Sequence, residues 1–160
     1  MGWQVLYLRP KTEKKMARYC SVMNIEHYLP LRKKTKVFQR RKVTTMIPLF
    51  PGYIFAVIES SRVDGMKRSD FVLKFIAPDN EESLLKALNQ IKTAITVDPE
   101  MGAAEKIKKG TKVRIINGPL AGIEGEVSTL KGNIKVMLNV DIIGKAAAVE
   151  TTRECIEVIE

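Results

Sequence analysis

Pro48-Leu49-Phe50-Pro51-Gly52-Tyr53 leads directly into Ile54-Phe55-Ala56-Val57-Ile58. Two prolines around Leu49-Phe50 restrict the backbone, and Gly52 permits a conformation or a close approach that a side chain would block. Tyr53–Ile58 then reads as an apolar strand. The hexamer has two readings. It is a tight entry into that strand with Phe50 and Tyr53 in the core, or it is an aromatic surface pocket for a partner helix, because aromatic anchors dominate interface energies.

Immediately upstream lies Leu31–Lys42, LRKKTKVFQRRK, with seven Lys/Arg and no acid. Val37 and Phe38 interrupt the charges, as expected of strand positions in a hairpin, which we place at Val37–Met46. A rigid basic hairpin presents its charges together to a phosphate track, and each phosphate neutralised adds roughly 0.7–0.9 to the salt slope of log K. Phe38 and Gln39 at the tip have the chemistry to stack on or hydrogen-bond a base. The rest of the chain sharpens this. Residues 1–58 hold twelve Lys/Arg against Glu13 and Glu26, a net +10, while the whole chain of 160 residues carries +9. The excess belongs to the first third and suggests a polyanionic partner.

Further outward, strand and helix signals alternate. Trp3–Leu8 is β-rich and closed by Pro10. Thr12 is placed to cap a helix reaching Asn24, with Met16, Tyr19, Cys20 and Met23 on one face. His27–Leu29 reads as a short strand ending at Pro30, and Val72–Ile76 as another. Asp79 and Glu82 form a capping box for a helix with Leu84, Leu88, Ile91 and Ile95 on one face. The expected fold class is α+β, an antiparallel sheet with flanking helices. Asp98–Gly110 shows no strand periodicity and reads as a linker. The expected division is 1–97, a linker 98–106, and 107–160, with a boundary near residue 105. In the last part Lys112–Ile116, Glu124–Leu130, Ile134–Val140, Ala146–Glu150 and Ile156–Ile159 are strand candidates. They are separated by glycine corners that include Gly118, Gly122, Gly125, Lys131-Gly132-Asn133 and Gly144, the pattern of a small five-stranded β-barrel.

Composition excludes other classes. At 45% hydrophobic residues, the chain can build a core. No apolar run approaches the ~20 residues of a membrane-spanning helix. The start lacks a basic region followed by an apolar one, so no secretory signal is expected, and a cytoplasmic location is the default. Cys20 and Cys155 with the single His27 do not make a disulfide framework or a tetrahedral zinc site. Nor does His27 have an orienting partner for nucleophilic catalysis. No enzyme activity, metal or cofactor is expected.

Trp3, Tyr7, Pro10 and Glu13-Lys14-Lys15, then Tyr28-Leu29-Pro30, the basic hairpin and Phe50-Pro51-Gly52-Tyr53, together resemble the NusG N-terminal domain. Gly110-x-x-Val113-x-Ile115 and Gly118-Pro119-Leu120-x-Gly122-x-x-Gly125-x-Val127, followed by Val149-Glu150, are similar to a KOW motif, an SH3-like barrel. The resemblance runs in order over nearly the whole chain. It implies a bacterial transcription elongation or antitermination factor that binds the RNA polymerase clamp helices, suppresses pausing or termination, and touches non-template or upstream DNA. It implies polymerase binding by Trp3, Tyr7, Phe50, Pro51 and Tyr53, and nucleic-acid binding by Lys34, Lys36, Arg40, Arg41 and Lys42. It also implies a second partner, a ribosomal protein or Rho, at Leu120 and Ile123 of the KOW domain, and a monomer.

Leu120 stands where the family commonly has an aromatic. The segment between Ile76 and Asp79 is short and lacks the usual Gly-Gly and Pro-Ile run, and no acidic leader precedes the first strand. These departures point toward a specialised antitermination paralog similar to the RfaH and UpxY group. Residues 107–160 hold eight basic and seven acidic residues, a balance that favours a protein partner for that domain. The competing expectation is a KOW-type RNA- or ribosome-binding module without a polymerase role.

Overall fold

The computed structural model describes residues 1–106, 110–130 and 133–159; the expected Lys131-Gly132 corner lies outside them. Contacts group the chain into two compact units, Met1–Leu31 with Phe50–Ser83, and Arg32–Leu49 with Leu84–Glu160.

The first unit is built on a four-stranded antiparallel sheet of β1 (Gly2–Leu8), β2 (His27–Tyr28), β5 (Tyr53–Ile58) and β6 (Val72–Ile76), in the order β2-β5-β1-β6. The register sets Leu6 opposite Ile54 and Gly2 opposite Ile58. Leu6, Leu8, Ile54, Ala56 and Ile58 therefore share one face, and they form a core with Met16 and Cys20 of α1 (Glu13–Val22) and Met66 of α2 (Ser60–Arg68). The period-2 alternation of the strands meets the i, i+4 face of α1 there. The first helix is shorter than expected, and Thr12 does not cap it through its side chain. Its hydroxyl donates instead to the carbonyl of Arg9 at 2.8 Å. Helix α2 has no counterpart in the sequence reading. It offers only Val63 and Met66 as apolar positions around Gly65, too few for a visible period.

Helix α3 (Glu81–Val97) buries Leu84, Leu88, Ile91 and Ala94. The expected face is right except at its end, where Ala94 is buried and Ile95 only half so. The cap is Asn80 rather than Asp79: its Oδ1 accepts from the Ser83 backbone N–H at 3.1 Å. Both side chains have the right chemistry, and the backbone selected the one at the helix boundary.

In the second unit, β3 (Leu31–Phe38) and β4 (Arg41–Pro48) make a two-stranded hairpin, longer than the Val37–Met46 expected. Six more strands follow: β7 (Ala103–Glu105), β8 (Thr111–Ile115), β9 (Glu124–Leu130), β10 (Asn133–Val140), β11 (Lys145–Thr151) and β12 (Ile156–Val158), in the order β12-β8-β9-β10-β11-β7. The five strands expected of a small barrel are all present, and β7 joins them in one six-stranded antiparallel sheet, with β12 and β7 as its edges among the described residues. The linker expectation is corrected at Ala103–Glu105, which pair with Lys145–Ala147. Two alanines and a glutamate carry little strand propensity, so this strand exists by tertiary pairing. Lys145 on Glu105 and Lys106 on Asp141 at 2.8 Å reinforce it.

Val113, Ile115, Val136, Leu138, Val140 and Val149 line the buried face of this sheet, while Lys112 and Arg114 point the other way, as the alternation predicts. Gly125 has a steric cause. A Cβ there would lie 2.6 Å from the Met137 carbonyl oxygen and 2.7 Å from Val136 Cγ1, so β9 approaches β10 too closely for any side chain.

On the polar side, Gln90 of α3 and the Glu124 backbone exchange two hydrogen bonds, at 3.0 and 2.8 Å. The Glu124 carboxylate accepts from Arg114 at 2.7 Å and Lys86 at 2.9 Å. Those hydrogen bonds, the Arg114 one foremost, hold its pKa below the ordinary glutamate value. A carboxylate with a depressed folded pKa contributes stability above its unfolded pKa and loses it as pH falls through the folded one. Glu124→Gln is therefore expected to remove part of the stability at neutral pH and to flatten the acid limb of a melting-temperature profile. An acid limb identical to that of the parent would show that Glu124 does not contribute to it.

Candidate partner and nucleic-acid interfaces

Phe50-Pro51-Gly52-Tyr53 is a type II β-turn. The Tyr53 N–H donates to the Phe50 carbonyl at 3.2 Å, Pro51 occupies the second position, and Gly52 has φ +90°. That position requires glycine. It also packs tightly, since a Cβ would sit 3.4 Å from Cε1 of Tyr7. The turn is pinned on two sides. The Gly52 carbonyl accepts from the Leu8 N–H at 2.7 Å, and the Gly52 N–H donates to Oε2 of Glu13 at 2.9 Å. Glu13 is a buried carboxylate at the start of α1. In the sequence Glu13 enters only the charge balance and the Glu13-Lys14-Lys15 motif. Its role as the clamp of this turn has no local signal beyond the usual preference for an acid in a first helical turn.

The turn sets Tyr53 opposite Tyr7 in the β1–β5 register. Their rings are tilted by 42° with centroids 5.3 Å apart, within the range of favourable aromatic pairs. Tyr7 is 42% exposed, and the β1–β6 register shifts between Tyr7 and Leu8, the kind of irregularity that re-aims a side chain. Pro51 is exposed and Tyr53 half-buried. Phe50 differs from the expectation of a surface contact: it is only 2% exposed, so the core reading of its ring holds in this structure. Trp3 lies on the same face of β1 as Tyr7, half-buried and near the opposite end of the strand.

The basic hairpin turns through Gln39 and Arg40, with φ +48° and +63°. Two successive positive φ values in a two-residue loop make a type I′ turn, whose twist suits a hairpin. Neither residue is the usual glycine or asparagine, and left-handed backbone costs ~1–2 kcal/mol per such residue. The two-residue loop sets Phe38 opposite Arg41, Lys36 opposite Val43 and Thr35 opposite Thr44; the hydroxyls of that last pair are 3.3 Å apart. Lys34, Lys36, Phe38 and Arg41 therefore share one face, Lys42 lies on the other with Val37, and Arg40 sits in the turn. The five expected nucleic-acid residues are all exposed, but only three share a face. Among the described residues none of the five forms an ion pair.

The base of the hairpin is held by the segment expected to be linker. Arg32 donates to the carbonyls of Met101 and Glu100 at 2.9 and 3.1 Å, and the Lys33 N–H donates to the Pro99 carbonyl at 2.6 Å. One of the seven cations is thus a structural strut.

At the expected KOW partner loop, Leu120 is half-buried and Ile123 only 4% exposed. Ile123 is tied in by its carbonyl, which accepts from the Ile115 N–H at 2.8 Å. Of this pair only Leu120 offers side-chain surface. Cys20 is part of the core, and half-buried Cys155 accepts from the Thr152 hydroxyl at 3.4 Å. Burial pushes the Cys20 thiol up to about 11, which keeps it protonated. His27 Nδ1 lies 2.9 Å from the Ile25 carbonyl. Among the described residues no cluster of metal-ligating side chains occurs, and no helix is long and apolar enough to cross a membrane.

The family model described as "NusG: Transcription termination factor nusG" matches residues 1–92. The chain belongs to the NusG family. NusG proteins are transcription factors. Its fold is similar to that of a structure described as "Domain interaction in Thermotoga maritima NusG", with 20% identity over 99% of this chain and 97% of that one and a TM-score of 0.54. A structure described as "Crystal Structure of MjSpt4:Spt5 complex conformation B" aligns with 15% identity over 99% of this chain and 97% of that one, at a TM-score of 0.32. No curated protein matches the chain.

Proposed function

We propose that this NusG-family protein is an elongation or antitermination factor of the specialised type, which binds the RNA polymerase clamp helices through Tyr7, Pro51 and Tyr53, with Trp3 on the adjoining strand. The carrying observation is the ring pair of exposed Tyr7 and half-buried Tyr53 beside the Phe50–Tyr53 turn. A rigid aromatic pair with little entropy left to lose on binding is the usual chemistry of an interface anchor. Phe50, which is buried, is left out of the contact set. The hairpin cations contact non-template or upstream DNA. Residues 107–160 act as a KOW domain that recruits a ribosomal protein or Rho with Leu120 at its contact. The family match ends at residue 92, which supports a domain boundary ahead of residue 107, with Ala103–Glu105 joined to the sheet of the second part. The protein acts as a cytoplasmic monomer without a cofactor.

The test is transcription in vitro with purified polymerase on several leader templates. Read-through at pauses or terminators should rise with added protein, and the protein should co-purify with polymerase after nuclease treatment. Association with ribosomal RNA that nuclease abolishes, with no effect on transcription, would select the RNA-binding module instead.

A further inference from the structure

Among the described residues Glu13 is the only charged side chain that is buried, at 7% exposure, and no cation pairs with it. A carboxylate there gives up hydration that an apolar side chain would not have to give up. What it gains is one directed bond. Its Oε2 accepts from the Gly52 N–H at 2.9 Å, a hydrogen bond that the charge strengthens.

That N–H belongs to the Pro51–Gly52 peptide, the central unit of the turn. Type I and type II turns differ by a flip of this one unit, which leaves the flanking residues nearly in place. Pro51-Gly52 suits type II. Proline is nevertheless at home at the second position of type I as well, and glycine takes negative φ about as readily as positive. In the type I form the N–H would leave the buried carboxylate without its donor. Glu13 therefore fixes the side on which the N–H points. The peptide is trans, so its carbonyl points the opposite way. The Pro51 carbonyl is turned away from Glu13, on an exposed residue, and accepts no hydrogen bond among the described residues.

We infer that the Pro51 carbonyl is a hydrogen-bond acceptor for a side-chain N–H or O–H donor of the partner, and that Glu13 is the positioning residue that turns it outward. The inference rests on the polymerase contact proposed above, and it adds a directed polar bond to the Tyr7–Tyr53 rings.

Affinity for purified polymerase is read by fluorescence anisotropy of the labelled full chain, and the turn by magnetic resonance of the free chain carrying isotope-labelled glycine. Glu13→Met keeps the side chain's length without an acceptor, and Glu13→Asp keeps the charge but withdraws it by one carbon. Each should weaken polymerase binding by about tenfold. Each should also shift the Gly52 amide resonance while the other glycines keep theirs. Glu13→Gln, which retains an acceptor oxygen, should restore most of the affinity. The loss in Glu13→Met should persist in a Tyr53→Ala background, because the carbonyl and the ring act separately. Disappearance of the loss in that background overturns the carbonyl as acceptor and leaves Glu13 acting through the ring. Parent affinity in Glu13→Met and Glu13→Asp, with Tyr53→Ala still weakened, overturns the inference and leaves the polymerase reading standing. A Glu13→Gln chain as weak as Glu13→Met also overturns it. Parent affinity in Tyr7→Ala with Tyr53→Ala removes the polymerase reading, and the inference falls with it.

Discussion

Phe50→Ala is expected to lower the unfolding free energy by about 3–5 kcal/mol, the usual range for emptying a buried aromatic site. The ring is 2% exposed, and its carbonyl closes the type II turn that precedes β5. Alanine keeps that carbonyl, so the loss is the apolar burial of the ring together with the cavity it leaves. Urea denaturation should show a lower midpoint with an unchanged m-value. A loss below about 1 kcal/mol is the range of a surface substitution, and it would return Phe50 to the set of exposed contacts. The substitution is therefore unsuitable as a probe of partner binding, because a chain weakened this far loses every interaction at once.

Tyr7→Ala with Tyr53→Ala is the cleaner probe. A buried aromatic hot spot is worth about 2 kcal/mol or more on truncation. Each single change should therefore weaken binding to purified polymerase by about 30-fold. The double change should weaken it by up to about a thousandfold. The two rings touch, so the double effect should fall short of the sum of the singles. Tyr7 is 42% exposed, so folding should suffer far less than in Phe50→Ala. Polymerase affinity equal to that of the parent, measured on a folded double variant, would remove this pair from the interface. Read together, the two experiments separate the buried ring that precedes the turn from the rings that follow it at the surface.

The candidate sites were legible in the sequence to different depths. Phe50-Pro51-Gly52-Tyr53 announced a turn because proline and glycine have narrow backbone preferences, and the type II geometry follows from them. The sequence could not say which of the two flanking aromatic rings would be buried, since a turn preserves that choice until the strands pair. The seven charges of the basic segment were countable, but their faces were not. Only the Gln39–Arg40 turn and the resulting register place Lys36 with Phe38 and send Lys42 to the other side. Glu13 shows the limit most clearly. Its partner is the backbone of Gly52, 39 residues away, and no local pattern encodes a bond across that separation.

What the sequence by itself determined was local and periodic. It specified strands β1, β5, β6 and β8–β12 to within a residue or two at their ends, most of the apolar faces of α1 and α3 (Met23, just past the end of α1, is exposed), a basic hairpin, and the ordered motifs of the NusG family. Backbone stereochemistry and side-chain periodicity act over a few residues, so a single sequence displays them. The tertiary structure alone decided that Asn80 caps α3, that Ala103–Glu105 become an edge strand, that the last sheet has six strands and no closing pair among the described residues, and that Phe50 is buried while Tyr7 is exposed. Each of those outcomes depends on which groups meet across the fold. Burial and hydrogen-bond pairing assign them after the local choices have been made.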